Sequence, residues 1–413
     1  MKTLSHKEVV LGVTGSIAAY KACEIASLLV KRGVRVTPVL THSARELVGP
    51  AGFEAITGQR AITEMFEPLP NPDVEHIAVA TRADLFLIAP ATANILAKAA
   101  HGLADDWLST TLLATRAPIV FAPAMNTHMY EHAATQENIR ILRERGCRFI
   151  GPDSGRLACG TVGVGRMAEP ECIVEAVLPL LDPRSDFEGV RVLITSGATR
   201  EPLDPVRFLS NRSSGKMGRA LASEALARGA QVTVVSGPAE TPLPYGAEVI
   251  RVETACEMAA AVAQRISEAD VFIAAAAVAD FRAEDIAASK LKRQGGNASL
   301  TLVENPDILA AVGAQKRSRQ IIVGFAAETE DLVRNAREKL DKKHIDLLAA
   351  NLVGVESSGF GADTVQACLL DASGNAEDLG LLTKADLAER LFDRIAELRA
   401  NEETQRIREA DHA

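Results

Sequence analysis

No apolar run in this 413-residue chain approaches the length of a membrane span; the longest, such as Val271–Ala279, stop well short. The six cysteines, Cys23, Cys147, Cys159, Cys172, Cys256 and Cys368, form no CxxC pair and no zinc-type spacing. That argues against a disulfide scaffold and fits free thiols in a reducing cytoplasm. The first residues, Met-Lys-Thr-Leu-Ser-His-Lys-Glu, do not read as a signal peptide. Positive charge is also short. A net charge of −9 disfavours nucleic acid or an acidic membrane as the main partner. What is there, 47% hydrophobic and 24% charged residues, describes a soluble globular chain long enough for two domains.

Both halves alternate short β-branched runs with alanine-rich helical stretches, the pattern of parallel α/β folds. The first half predicts strands at Val9–Val13, Arg35–Leu40, Leu85–Ala89, Pro118–Ala122 and Arg148–Ile150. Its helices are predicted at Ala18–Arg32, Ala91–Ala99, Ser109–Ala114 and Pro170–Leu181. The second half predicts strands at Val190–Thr195, Gln231–Val235, Glu248–Val252, Val271–Ala275, Ile321–Phe325 and Leu347–Ala350. Its helices fall at Met217–Arg228, Ala255–Glu268, Asp307–Ala314 and Glu330–Lys342. The polar stretch Leu181–Gly189 breaks periodicity. It divides a domain over 1–185 from one over 189–400, with a frayed tail at 401–413. The fold class is α/β: two doubly wound three-layer domains, flavodoxin-like and then Rossmann-like.

Each half opens with a strand that breaks into a glycine turn and a helix, Thr14-Gly15-Ser16 in one and Ser196-Gly197-Ala198-Thr199 in the other. Such an opening aims backbone amides and a positive helix end at one spot, where phosphates bind. A dinucleotide fingerprint needs GxGxxG and an acid about 20 residues on. Here Gly12-Val13-Thr14-Gly15-Ser16 lacks the spacing, and the second strand ends in Thr41-His42-Ser43. The missing acid in both halves weighs against a nicotinamide-dependent oxidoreductase. Ser16, Thr41 and Ser43 read either as helix caps and turn residues or as donors to a phosphate monoester such as that of FMN. Two Pro-Ala turns, Pro90-Ala91-Thr92-Ala93-Asn94 and Pro123-Ala124-Met125-Asn126, follow strands, where open α/β sheets bind ligands. Cys159 sits in a glycine-rich loop from Gly151 to Gly165, a poor place for a core residue and a good one for a thiol carried by a lid. His76 is the best candidate base of this half, although a lone histidine is more often structural.

At Pro123–Asn126, Cys159 and His76 the first half resembles the flavin-containing cysteine decarboxylases, specifically phosphopantothenoylcysteine decarboxylases. The second half carries Thr199-Arg200-Glu201-Pro202-Leu203-Asp204-Pro205-Val206-Arg207 and Asn211-Arg212-Ser213-Ser214-Gly215-Lys216-Met217-Gly218. With Ala276-Ala277-Val278-Ala279-Asp280-Phe281 and Lys290-Leu291-Lys292-Arg293, it resembles phosphopantothenate–cysteine ligases. One departure is Ala198, where that family more often has Gly-Gly-Thr or Gly-Pro-Thr. The resemblance implies FMN contacts at Gly15, Ser16, Ile17, Thr41, Ser43, Thr92, Ala93, Asn94 and Met125. It implies His76 as base, Asn126 orienting the departing carboxylate, and Cys159 as proton donor.

The stretch Ser213–Gly218 suits phosphate oxygens but is no P-loop, since Ser210 and Met217 stand where glycine and a magnesium-binding hydroxyl belong. The resemblance places the nucleotide on Ser213, Ser214, Gly215 and Lys216, on Ala274, Ala275 and Ala276, and on Asp280 and Lys290. Pro306, Asp307, Ile308, Leu309, Phe325, Lys339 and Lys343 complete that set. Arg207 and Asn211 are the expected substrate contacts, Asn211 and Lys290 are expected to act in catalysis, and Asp280 is the expected Mg²⁺ ligand. The Gly-rich segment 357–363 is expected to close over this site.

The implied chemistry is CTP-dependent coupling of 4'-phosphopantothenate to L-cysteine through an acyl-cytidylate. FMN-dependent oxidation, decarboxylation and re-reduction then give 4'-phosphopantetheine. The implied assembly is a homo-oligomer, a dodecamer of decarboxylase trimers and ligase dimers. The rival reading is a regulatory flavoprotein of the same fold that inhibits a partner enzyme. Retention of His76, Asn126 and Cys159, a full ligase half and no long acidic tail weigh against it.

Overall fold

A computed structural model of the chain describes residues 4–65, 75–158, 160–292, 299–328, 337, 340, 342–352 and 361–410. It divides into two compact units, 1–183 and 184–413. The fold class read from sequence is the one observed.

In the first unit β1 (Glu8–Val13), β2 (Arg35–Leu40), β3 (Leu85–Ala91), β4 (Ile119–Pro123) and β5 (Arg148–Phe149) form a parallel sheet in the order β2-β1-β3-β4-β5. β1 and β3 are buried at every position, because helices cover both faces of a parallel sheet and leave no polar side. On one face the helix Lys21–Lys31 buries Ala22, Ile25, Ala26 and Leu29, a helical stripe, and packs with Pro170–Leu181. On the other, Ile95, Leu96, Trp107, Leu108, Leu112, Ile139 and Leu142 pack on Val10, Phe86, Ile88 and Phe121. An antiparallel hairpin, β6 (Asp153–Arg156) and β7 (Val162–Arg166), follows the sheet.

The second unit contains β8 (Arg191–Ser196), β9 (Arg200–Pro202), β10 (Phe208–Ser210), β11 (Gln231–Ser236), β12 (Glu248–Arg251) and β13 (Val271–Ala274). They are followed by β14 (Phe281–Ala283), β15 (Leu302–Glu304), β16 (Ile321–Glu328), β17 (Leu347–Leu352), β18 (Thr364–Asp371) and β19 (Ala376–Thr383). The main sheet runs β12-β11-β8-β13-β16-β17-β18-β19, with only the last two strands antiparallel. Numbered within the sheet, the order starts 3-2-1-4-5-6, the doubly wound dinucleotide-fold order. β9–β10 and β14–β15 form small antiparallel pairs.

Several boundaries differ from expectation. β3 runs two residues further, through Ala91, and the next helix starts at Ala93 because Thr92 caps it. The single helix expected over Ala18–Arg32 is a 3₁₀ turn, Ile17–Tyr20, leading into Lys21–Lys31. Residues 184–188 belong to the second unit, where Phe187 is fully buried. The tail expected to fray after 400 instead continues the helix Lys384–Ala410. The predicted helix Glu330–Lys342 lies largely outside the described residues.

Arg228 ties the second unit together. Its side chain is only 2% exposed, with Nε 2.7 Å from Glu224 and Nη1 3.1 Å from Asp186. Nη2 donates to the Glu389 carbonyl at 3.1 Å and to Asp393. The guanidinium lies 5.9 Å from the ring centres of both Phe187 and Phe392, which meet edge to face. One buried cation thus joins the linker, the helix Lys216–Ala227 and the C-terminal helix. Replacing it by alanine strands three carboxylates beside a cavity. Arg228→Ala is expected to cost about 3 kcal/mol, read as a lower urea midpoint of the full chain. A loss below ~0.5 kcal/mol would show the network to be solvent-compensated.

Candidate active sites

Each sheet has one switch point, where strand order reverses and the carboxyl ends splay apart to leave a crevice. In the first unit it falls between β1 and β3. Thr14, 2% exposed, donates its hydroxyl to the Pro90 carbonyl at 2.7 Å and accepts the Thr92 amide at 3.1 Å. This closes the gap at its base and sets both glycine turn and Pro-Ala turn on one rim. Above lies a cavity of about 780 Å³. Gly15, Ser16, Ile17, Thr92, Ala93, Met125 and Asn126 line it, as expected from sequence. A Cβ on Gly15 would sit 2.4 Å from Ser43 Cβ, so only glycine brings this backbone to the rim.

The hairpin is laid against the second Pro-Ala turn. Met125 N donates to Gly165 O at 3.0 Å, and a Cβ on Gly165 would stand 2.3 Å from Met125 O. Arg156, Leu157 and Ala158 of its outer arm join the wall. Cys159 lies outside the described residues; beside it in sequence, Leu157 N donates to Thr161 O at 2.8 Å. Asn126 faces the cavity while its Oδ1 accepts the His128 amide at 2.9 Å, capping the next helix.

Four expected residues are not among those lining this cavity. Thr41 caps its own short helix through the Ala44 amide at 3.3 Å, so the capping role left open by the sequence is the one it fills. Ser43 backs Gly15, Asn94 is exposed on its helix, and His76 is half-buried on the helix Glu75–Arg82. Sequence reasoning missed Tyr20, Lys21, Met129 and Arg166, all of which line the cavity. The signal for Lys21 was its place one turn after Ile17.

The second switch point, between β8 and β13, is built the same way. Thr195 Oγ1 accepts the Ala276 amide at 3.2 Å, and Thr199 Oγ1 accepts that of Ala279 at 3.0 Å. Gly197 has φ +79°, and a Cβ there would meet Gly237 O at 2.7 Å. Ala198 needs no such freedom: it is buried and bridges to Ala277, so the departure from the family's turn leaves the backbone intact. A Cβ on Gly218 would stand 2.0 Å from Ser196 Oγ, so glycine lets the helix Lys216–Ala227 start hard against the strand. That helix has Gly215 at its N-cap and no side-chain cap. Its free amides face a cavity of about 610 Å³.

Ser213, Ser214, Gly215, Lys216, Ala274, Ala275, Ala276 and Asp280 line this cavity, with Pro306, Asp307, Ile308, Leu309, Phe325, Lys343 and Asn211. Asn211 Nδ2 donates to Val278 O at 2.8 Å, which fixes the amide plane. Lys343 Nζ is 2.9 Å from Asp307. Burial alone would raise the Asp307 carboxyl, but the Ala310 amide and Lys343 hold it below the usual range. Lys216 Nζ meets Gly361 O at 2.9 Å and Asp363 at 2.5 Å. Arg207 and Lys290 are not in the cavity wall. Arg207 donates to Leu291 O at 2.9 Å, and buried Asp204 accepts the Leu291 amide at 3.1 Å, so the loop carrying Arg207 is pinned to the one carrying Lys290. Lys339 lies outside the described residues. No cluster of three or more metal-binding side chains occurs among the described residues, so Asp280 is not part of one there. Lys384 and Asn305 line the cavity and were missed. Burial, with Lys216 adding to it, pushes the Lys384 ammonium below its ordinary range against the pull of Asp363.

Residues 1–182 match the family described as Flavoprotein, and residues 187–398 match the DNA/pantothenate metabolism flavoprotein C-terminal domain. The class is therefore a flavoprotein unit joined to a pantothenate-metabolism unit. Coenzyme A biosynthesis bifunctional protein CoaBC of Bacillus subtilis is 44% identical over 398 residues, covering 96% of this chain and 98% of its own. The Escherichia coli protein is 44% identical over 364 residues, covering 87% and 90%. A solved structure, the C-terminal domain of a CoaBC protein, is 34% identical with a TM-score of 0.46, covering 52% of this chain and 99% of its own. An FMN-dependent cysteine decarboxylase, SpaF, is 38% identical with a TM-score of 0.36, covering 39% and 91%. The chain belongs to the family of bifunctional coenzyme A biosynthesis proteins.

The threonine bridges carry a direct test. Thr14→Val and Thr195→Val keep shape but leave the Pro90 carbonyl or the Ala276 amide without its partner. Each is expected to cost about 1–3 kcal/mol in a denaturant titration, and a neutral result for either would remove that bridge from the account.

Proposed function

We propose that the two cavities perform consecutive steps of coenzyme A biosynthesis, ligation in the second unit and decarboxylation in the first. The observation that carries the reading is a pair of differently equipped switch-point cavities in one chain. One has uncapped helix amides and lysines, the other a rim of small residues under a hairpin bearing a thiol.

For ligation, the uncapped amides at the start of the helix Lys216–Ala227, with Lys216 and Lys343, would hold the phosphates of CTP, and Asp280 would hold Mg²⁺, which would neutralise their charge. The small residues Ala274–Ala276 let backbone approach the base edge. The acyl carboxylate of 4'-phosphopantothenate displaces pyrophosphate to give the acyl-cytidylate. Asn211, its plane set by Val278, orients the acyl carbonyl. Arg207 clamps the acyl substrate and Lys290 reaches the nucleotide from the pinned loop. The cysteine amine then displaces CMP and forms the amide. Lys216 must exchange Asp363 for phosphate as the nucleotide binds.

For decarboxylation, Gly15, Ser16, Ile17, Thr92, Ala93 and Met125 of the cavity wall would hold FMN. When bound, FMN supplies the reversible two-electron store that loss of carbon dioxide from the cysteinyl carbon requires. Asn126 orients the departing carboxylate, and Cys159 returns a proton at the end. Because His76 is not in its own cavity wall, we assign it to the flavin of a neighbouring copy in a decarboxylase trimer, with ligase dimers completing a dodecamer.

Two assays check this. Pyrophosphate release is expected with CTP, phosphopantothenate and cysteine together, and far less with ATP; equal rates would overturn the CTP assignment. Purified chain is expected to be yellow, and Cys159→Ser to accumulate a decarboxylated, oxidised enethiol. Normal phosphopantetheine output from that variant would sink the role of Cys159.

A further inference from the structure

The first cavity carries three cations, Lys21, Arg156 and Arg166, and no carboxylate lines it among the described residues. Glu169, which is not among the lining residues, bonds two of them. Its Oε2 is 2.7 Å from Lys21 Nζ, and its Oε1 accepts from Arg166 Nη2. The Lys21 side chain is 13% exposed, so its direction is set within the protein. Glu169 occupies the N-cap position of the helix Pro170–Leu181, yet its side chain makes no capping bond. Both carboxylate oxygens are thereby left for the cations. The bond from Lys21 holds the Glu169 carboxyl below its usual range despite partial burial. The preceding residues, Met167 and Ala168, are 2% and 0% exposed, which anchors the corner from which Glu169 reaches.

We propose that Glu169 is a positioning residue of the decarboxylase site. It holds Lys21, from the first helix, and Arg166, from the hairpin, as an oriented cation pair in the wall for an anionic group of the acyl-cysteine substrate. The proposal rests on the decarboxylase reading above. Without the carboxylate the two cations repel each other, and the first helix loses its link to the hairpin arm.

Glu169→Gln keeps the shape and an acceptor but removes the charge. In the flavin-loaded full chain, KM for phosphopantothenoylcysteine is expected to rise about fivefold while kcat and bound flavin stay within about twofold. A second readout needs no turnover. Acetylation of Lys21, followed by mass spectrometry, is expected to quicken about threefold, because the amine loses the partner that pins it. Unchanged KM or unchanged labelling overturns the proposal. So does loss of flavin together with a lower thermal midpoint, which marks a purely structural residue. Failure of the unsubstituted chain to decarboxylate overturns the underlying reading instead, and the labelling then reports the Glu169–Lys21 link by itself.

Discussion

Both sites depend on a buried threonine hydroxyl at the end of the first strand of each sheet. At a switch point the neighbouring strands diverge, and the backbone groups at their ends lose their ladder partners. Thr14 supplies a donor and an acceptor there, to Pro90 and Thr92. Thr195 and Thr199 supply acceptors for the amides of Ala276 and Ala279. A buried amide or carbonyl left alone costs about 1–3 kcal/mol. The crevice can therefore open above only because a hydroxyl closes it below. The glycines then act on the rim that the threonines have set.

Charge separates the two cavities more than shape does. In the second, each wall cation with a described partner faces a nearby carboxylate: Lys216 faces Asp363 and Lys343 faces Asp307. A polyphosphate entering this cavity would have to displace those carboxylates. In the first, the carboxylate bonded to Lys21 and Arg166, that of Glu169, is not itself among the lining residues.

The strands and the two glycine turns were legible because parallel strands are apolar at nearly every position. Val9–Val13 and Val271–Ala274 can be read without knowing their neighbours. The antiparallel extension was not legible. β19 is exposed or half-buried along its length, and β18 gains its meaning only from pairing with β17. The C-terminal helix has a weak overall apolar character, yet it buries Leu387, Leu391, Phe392 and Ile395 against a helix far away in sequence. Residues on backbone turns that line the cavities, such as Gly15 and Ser213–Gly218, were singled out from sequence. Cations delivered from a distant element, such as Lys384, were not.

Thr41 and Ser43 show where the reading of residue type runs out. Hydroxyls beside a phosphate-binding turn and hydroxyls that cap a helix have the same composition and the same spacing. What separates them is where the lone pairs are already committed. Thr41 accepts the Ala44 amide and donates to Val13 O at 3.4 Å, so both its functions are taken by the fold. Ser43 instead crowds Gly15 closely enough to exclude any side chain there. Its contribution to the rim is steric: it makes glycine obligatory at the turn, and glycine in turn exposes the amides.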